Sequence, residues 1–316
     1  MTVPPAFRRP LPLVLAAVLL LVAGLGVWYV STARHRQPAA LLARLPTRDS
    51  LVLRIDFATL RRAGILDRLA GSAARQEKEY TDFVRDTGFA YQRDLDSAWV
   101  SFHPDGFFAL ALGRFDWKRL EEYATANGGG CFQGLCRMPG SEPSRRISYL
   151  LVQRGLLALA VSSDDFGATR MAEPARGAAL AGKPDPPPAA DPVWLSIAPA
   201  RLRRAETFPE GTQLLAKALA DATSVNLTIG AGEGASFAAR LEARFSSEED
   251  AQLAVRSLDR ITEVLGQIVA KERKPPPPGD LIEVLLSGRF TREGSVLQGR
   301  WTLSAAFLET LAEQAP

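Results

Sequence analysis

Apolar and polar residues alternate along this chain in short runs, and the runs recur in a fixed order. The first, Ser50–Ala58 (SLVLRIDFA), puts Leu51, Leu53, Ile55 and Phe57 at every second position, the period of a half-buried strand. Leu60, Ile65, Leu66 and Leu69 then recur at helical spacing, with Asp56 or Thr59 placed to cap that helix. A second helical run carries Tyr80, Phe83 and Val84 on one face and stops at Gly88. Asp96–His103 and Phe107–Phe115 alternate again. Between them lies His-Pro-Asp-Gly, whose Pro104 and Gly106 suit a tight turn, so the two runs predict a β-hairpin. Asp116 is placed to cap a helix running to Asn127, and the glycines at 128–130 end it. Ile147–Gln153 and Leu156–Ser162 predict a second hairpin around Arg154-Gly155.

Residues 163–192 lose this periodicity and end in KPDPPPAADP, the composition of a stiff linker. The same order of elements then starts again. Trp194, Leu195, Ile197 and Leu202 sit 142 positions after Val52, Leu53, Ile55 and Leu60. Asp221–Ile229 aligns with Asp94–Phe102 at a shift of 127, and Arg244-Phe245 with Arg114-Phe115 at a shift of 130. Ser246 or Ser247 caps the next helix, with Glu249 spaced for a capping box on Ser246. Its face of Val255, Leu258, Ile261, Val264, Leu265 and Ile268 is strongly amphipathic, and KPPPPG ends it. Leu281–Phe290 and Ser295–Leu303 predict a last hairpin, and Ser304 starts a short terminal helix.

The expected fold is α+β: two tandem β-α-β-β-α-β-β repeats, residues 47–162 and 193–316, joined by the 163–192 linker. Hairpins predominate, so the sheets should be largely antiparallel with helices on one face. Whether the repeats share one sheet stays open.

Upstream of the repeats, residues 1–36 read as a signal anchor. Leu11–Val30 is uncharged, and twenty residues of helix span about 30 Å, the thickness of a bilayer's hydrocarbon core. Trp28 and Tyr29 suit the membrane interface. Arg8 and Arg9 before the span nearly balance Arg34, His35 and Arg36 after it, so flanking charge does not set the orientation. A single N-terminal span usually exports the region C-terminal to it. That places residues 37–316 on the periplasmic side of a cytoplasmic membrane, behind a short tether at 37–46. Ser31-Thr32-Ala33 offers a cleavage site for the alternative of a removed signal peptide, whose apolar run is ordinarily shorter.

Composition narrows the function classes. A 47% hydrophobic and 23% charged chain of net charge +3 is globular and has no polyanion-binding excess, so nucleic acid is not an expected partner. Arg201, Arg203 and Arg204 read as a solvated helix face. Cys131 and Cys136 are the two cysteines, close enough for one tight turn to bridge; an exported domain favours a disulfide worth about 2 kcal/mol. A metal site would need about four ligands, and the two histidines are His35 and His103.

His103 and Asp105 belong to good turn chemistry, and an oriented partner for acid–base work is not apparent. Asp164-Asp165 suits a helix cap near Phe166 better than a cation site. The GAGEGA stretch at 230–235 lies between strands, where a dinucleotide fingerprint needs a strand and then a helix. Asn226-Leu-Thr228 matches a glycosylation acceptor but falls in a strand. No catalytic, cofactor or metal residues are assigned.

The stretch LPTRDSLVLRIDFATLRRAG, with the later RDLD and GRFDWKRLEEY, resembles exported single-span bacterial envelope proteins of unknown function. The resemblance implies an envelope protein and transfers no catalytic residue. The expected role is a non-enzymatic binding or scaffold protein, held to the bilayer by its N-terminal helix and meeting a protein or small ligand in a groove or along a sheet face. Alternatives are an envelope hydrolase with a carboxylate site and a lipid carrier.

Overall fold

A computed structural model describes residues 37–66, 78–175, 184–188, 191–208, 210–232, 237–272, 276–307 and 310. The span 11–30, its flanking charges, Ser31-Thr32-Ala33 and Leu69 lie outside the described residues. No helix among the described residues is long and apolar enough to cross a membrane.

The architecture is α+β, built on one twelve-stranded antiparallel sheet. Its strands are β1 (Leu51–Ile55), β2 (Leu95–His103), β3 (Gly106–Gly113), β4 (Gly130–Phe132), β5 (Leu135–Pro139), β6 (Arg146–Gln153), β7 (Leu156–Ser162), β8 (Val193–Ile197), β9 (Ser224–Ala231), β10 (Phe237–Arg244), β11 (Arg289–Glu293) and β12 (Val296–Leu303). They lie in the order β11-β12-β10-β9-β8-β1-β2-β3-β7-β6-β5-β4. The helices are α1 (Pro38–Leu42), α2 (Phe57–Arg62), α3 (Lys78–Thr87), α4 (Tyr91–Asp94), α5 (Trp117–Ala126), α6 (Pro199–Leu202), α7 (Glu210–Ala218), α8 (Glu248–Glu272) and α9 (Leu281–Leu286).

The choice between one sheet and two is settled at the centre. β1 and β8 pair antiparallel with Leu53 opposite Leu195, and the pair is closed by Asp56 N–H donating to the Pro192 carbonyl (2.7 Å) and Ala198 N–H to the Ser50 carbonyl (3.0 Å). Outward from it, the strands run β1-β2-β3-β7-β6 on one side and β8-β9-β10-β12-β11 on the other. β5 and β4 extend the first side only.

Because side chains alternate across a strand, each residue's parity fixes its face. One face, the helix face, is covered in both halves. In the second half Val225, Leu241, Ala243, Leu297 and Trp301 pack with Ala251, Leu258 and Val284 from α8 and α9. In the first, Cys136 and Tyr149 pack with Leu120 and Ala124 of α5. Among the described residues, the opposite face is covered over the first half and the adjoining β8. There Leu41, Leu42, Leu45, Ala168 and Met171 form one buried cluster with Val52, Trp99, Phe108, Leu110, Leu156, Ala158, Ala160 and Trp194.

Two segments therefore differ from expectation. Residues 37–46, expected to be a tether, form α1 and bury three leucines to 1–2% exposure. Part of the predicted linker is a 3-10 turn, Gly167–Met171, that completes the same cluster. Arg44 clamps the two, donating from Nη1 to the carbonyls of Met171 (3.1 Å) and Ala172. Helices thus cover both faces of the first half rather than one.

Most local signals act as expected. Asp56 and Asp116 cap α2 and α5 by accepting Thr59 N–H (2.8 Å) and Arg119 N–H (3.3 Å). The capping pair at α8 is Ser247 with Asp250, whose N–H donates to Ser247 Oγ (3.1 Å), in place of Ser246 with Glu249. The first arm of the last predicted hairpin is mostly helix: Leu281–Leu286 is capped by Asp280, which accepts Ile282 N–H, and only Arg289–Glu293 is strand. Its alternation misleads because the short apolar run LIEVLL fits either period.

Candidate functional site

Among the described residues, no helix or turn comparable to α1 and the 3-10 turn covers β10, β12 and β11 on the same face. Strand register sets what that face displays. Thr228 on β9 lies opposite Arg240 on β10, Arg240 opposite Arg300 on β12, and Arg300 opposite Arg289 on β11. Two residues further along, the same four strands align Asn226, Glu242, Gln298 and Thr291. These rows floor an open groove of about 690 Å³, rimmed by Asp185, Pro186 and Pro188 of the proline-rich segment and by Asp191. A smaller recess of about 510 Å³ adjoins it, lined by Ser287, Thr302, Arg289 and Arg300 among others.

The chemical contrast with the covered half is positional. In strand register, Arg240 and Glu242, opposite Thr228 and Asn226, stand where the first half has Phe108 and Leu110, opposite Ser101 and Trp99, so β10 follows β3 at a shift of 132 (240 against 108) rather than the 130 read from Arg244-Phe245. Phe108, Leu110 and Trp99 are buried in the cluster that α1 and the 3-10 turn complete. Among the described residues, polar side chains and the uncovered face go together, as desolvation requires.

The guanidinium groups are held in part by the fold. Arg240 reaches Asp191 Oδ1 (3.2 Å) and donates to the Ala231 carbonyl (2.6 Å). Arg289 donates to the Gly288 carbonyl (2.8 Å), and Arg244 pairs with Glu242 (2.9 Å). Asp191 is seated above Gly230, where a Cβ would lie 2.0 Å from its Oδ1, so only glycine leaves room. The Asp191 carbonyl also accepts from Arg54 (3.0 Å), which ties the groove's rim to the central strand. In the floor, Asn226 Oδ1 is buried with no hydrogen-bond partner among the described residues.

Most of the residues singled out in the sequence fall elsewhere. Cys131 and Cys136 are directly opposite on β4 and β5 and form a disulfide. Gln133 and Gly134 between them both have positive φ, as a two-residue type I′ hairpin loop demands. The bridge lies on the helix face, with Cys136 fully buried beside Tyr149. His103 Nδ1 accepts Asp105 N–H (3.1 Å) within the predicted turn. Asp105 and Asp164 both pair with Arg170 (3.4 and 3.3 Å), and Asp165 pairs with Arg146 (3.3 Å). Asp164 also accepts Phe166 N–H (2.9 Å), as a cap does. Among the described residues, no group of three or more His, Cys, Asp and Glu is placed to hold a metal ion. Asn226 and Thr228 of the glycosylation triplet lie in β9 and line the groove.

Sequence reading missed the arginine row. Its trace was present in FAARLEAR at 237–244, where Arg240, Glu242 and Arg244 alternate with apolar residues, but bringing Arg289 and Arg300 beside Arg240 requires the strand order.

No family model and no curated protein matches this chain. Among solved structures, crystal form I of TP0453 superposes with a TM-score of 0.46 at 12% sequence identity, over 86% of this chain and 96% of that one.

Proposed function

We propose that this chain is a membrane-anchored, non-enzymatic binding protein of the cell envelope, built from two copies of one unit, and that its working surface is the uncovered sheet face of the second copy. The symmetry of the centre supports the duplication. Leu53 lies opposite Leu195, its own counterpart at a shift of 142, and the closing hydrogen bonds Asp56–Pro192 and Ala198–Ser50 exchange under the same shift. The anchor reading rests on the uncharged span at 11–30.

One observation carries the assignment of the surface. Equivalent positions are apolar and covered in one copy, and polar and uncovered in the other. Duplication followed by loss of the cover leaves one copy as scaffold and frees the other to meet a partner. The groove is open and shallow, floored by a sheet, which suits binding better than the enclosed site that acid–base chemistry on a substrate needs.

A photo-crosslinking amino acid at Thr291, inside the groove, tests this in intact cells. An adduct from Thr291 and none from Asp259 on α8 is the expected result. Equal labelling, or none, from both positions contradicts the reading.

A further inference from the structure

We infer that the row Arg240–Arg300–Arg289 is a binding site for a phosphate ester on a small, hydroxyl-bearing ligand. This rests on the assignment of the open face as the working surface. Three guanidinium side chains stand in direct register on adjacent strands. With strands about 4.8 Å apart, they span about 10 Å. Like charges opposite one another destabilise a sheet, so such a row is an unfavourable arrangement for a purely structural surface.

Asp191 engages Arg240 at one end, and Glu242 in the next row is engaged by Arg244. Counting the groove's lining residues, Arg240, Arg244, Arg289 and Arg300 face Asp185, Asp191 and Glu242. The cations lie together on β10, β12 and β11.

The shape of the row selects the anion. A guanidinium presents a planar fork that meets two oxygens of a carboxylate or phosphate. A carboxylate has two oxygens and one charge, which one arginine satisfies. A phosphate monoester carries three terminal oxygens and a charge of about −1.5 to −2, which suits convergence of several forks.

The second row specifies the rest of the ligand. Asn226, Glu242, Gln298 and Thr291 lie about 6–7 Å along the strands from the arginines, on the same face. They offer amide, carboxylate and hydroxyl groups of the kind that hydrogen-bond alcohols. Glycerol phosphate is the simplest molecule with a phosphate ester and adjacent hydroxyls at this spacing. The phosphatidylglycerol headgroup carries the same glycerol on a phosphodiester, with two free oxygens and one charge, and serves as the comparison.

The test uses the full chain in detergent, titrated calorimetrically with glycerol 3-phosphate, and the full chain in lipid nanodiscs of phosphatidylcholine with or without phosphatidylglycerol, read by amide exchange of β10, β11 and β12. Saturable binding of the soluble ester assigns a free metabolite. Protection only in phosphatidylglycerol discs means that the row takes a diester headgroup and overturns the monoester. In either arm Arg300→Gln and Arg289→Gln should weaken the response about tenfold or more, with melting temperatures no lower than the parent's, while Arg256→Gln on the solvent side of α8 leaves it intact. No response in either arm, or arginine variants that respond like the parent, overturns the inference. If those experiments fail while Thr291 still gives its specific adduct, the surface stands and only the ligand class is wrong.

Discussion

Replacing Arg54 by Met should destabilise the protein by about 3 kcal/mol. Arg54 lies on β1 at the centre of the sheet, opposite Trp99 on one neighbour and Trp194 on the other. Its side chain is 11% exposed and that of Asp56 21%. Nη2 is 2.8 Å from Asp56 Oδ2, Nη1 is 3.0 Å from the Asp191 carbonyl, and the guanidinium carbon lies 5.7 Å from the Trp99 ring centroid. Methionine replaces the aliphatic stem but none of these partners. Removing one member of a buried pair typically costs about 3–5 kcal/mol, because the other charge stays desolvated. Asp56 is partly exposed and keeps the Thr59 N–H, which places the loss at the lower end. Urea denaturation of the full chain, with Asp56→Asn and the double variant completing a cycle, measures it. The pair should show coupling of about 1 kcal/mol or more. A loss below about 1 kcal/mol for Arg54→Met, or additive singles, would refute the placement of this arginine between the two halves.

Other consequences arise from single contacts. Tyr149 is buried and donates to the Leu120 carbonyl (2.6 Å), and burial raises its pKa to about 12. Its neutral form therefore stabilises the fold fully below about pH 10, and that contribution disappears as pH rises towards the folded value. Tyr149→Phe should lose about 1–2 kcal/mol at neutral pH and flatten the alkaline limb of a melting-temperature profile; an unchanged limb counts against it. Asp94 titrates below the usual carboxylate range because Arg93 hydrogen-bonds it, helped by Ala90 N–H and the charges of Arg93 and Arg114. Its contribution is present above about pH 3.9 and lost as pH falls through the lowered value, so the stability gap between parent and Asp94→Asn should close in acid. A gap that widens in acid contradicts the sign. Gly230→Ala should cost about 1–3 kcal/mol by displacing Asp191, and adding Asp191→Ala should cause little further loss; full additivity would place Asp191 elsewhere.

Much of the framework is readable in the chain because its determinants are local. The caps at Asp56 and Asp116, the His103–Gly106 turn and the hairpin around Gly155 each depend on a few adjacent residues. LIEVLL misleads because six apolar-rich residues fit two periods, and Asp280 decides in favour of a helix. α1 is hidden for another reason. Leu41, Leu42 and Leu45 cluster at helical spacing, but five helical residues gain their stability from the sheet beneath them rather than from propensity. The groove is illegible for the strongest reason. Arg240, Arg289 and Arg300 are separated by as many as sixty residues and converge only through the order β10-β12-β11.

The claim that the open second-half face meets a partner is tested most directly by its accessibility where the protein works. A cysteine introduced at Gln298, in the groove floor, and another at Asp259, on the outer side of α8, are each reacted with a hydrophilic maleimide, first on the purified chain in detergent and then in intact cells. Both should react readily when purified, and in cells Gln298→Cys should become protected while Asp259→Cys does not. Equal reactivity of the two sites in both settings would mean that this face is bare in the cell.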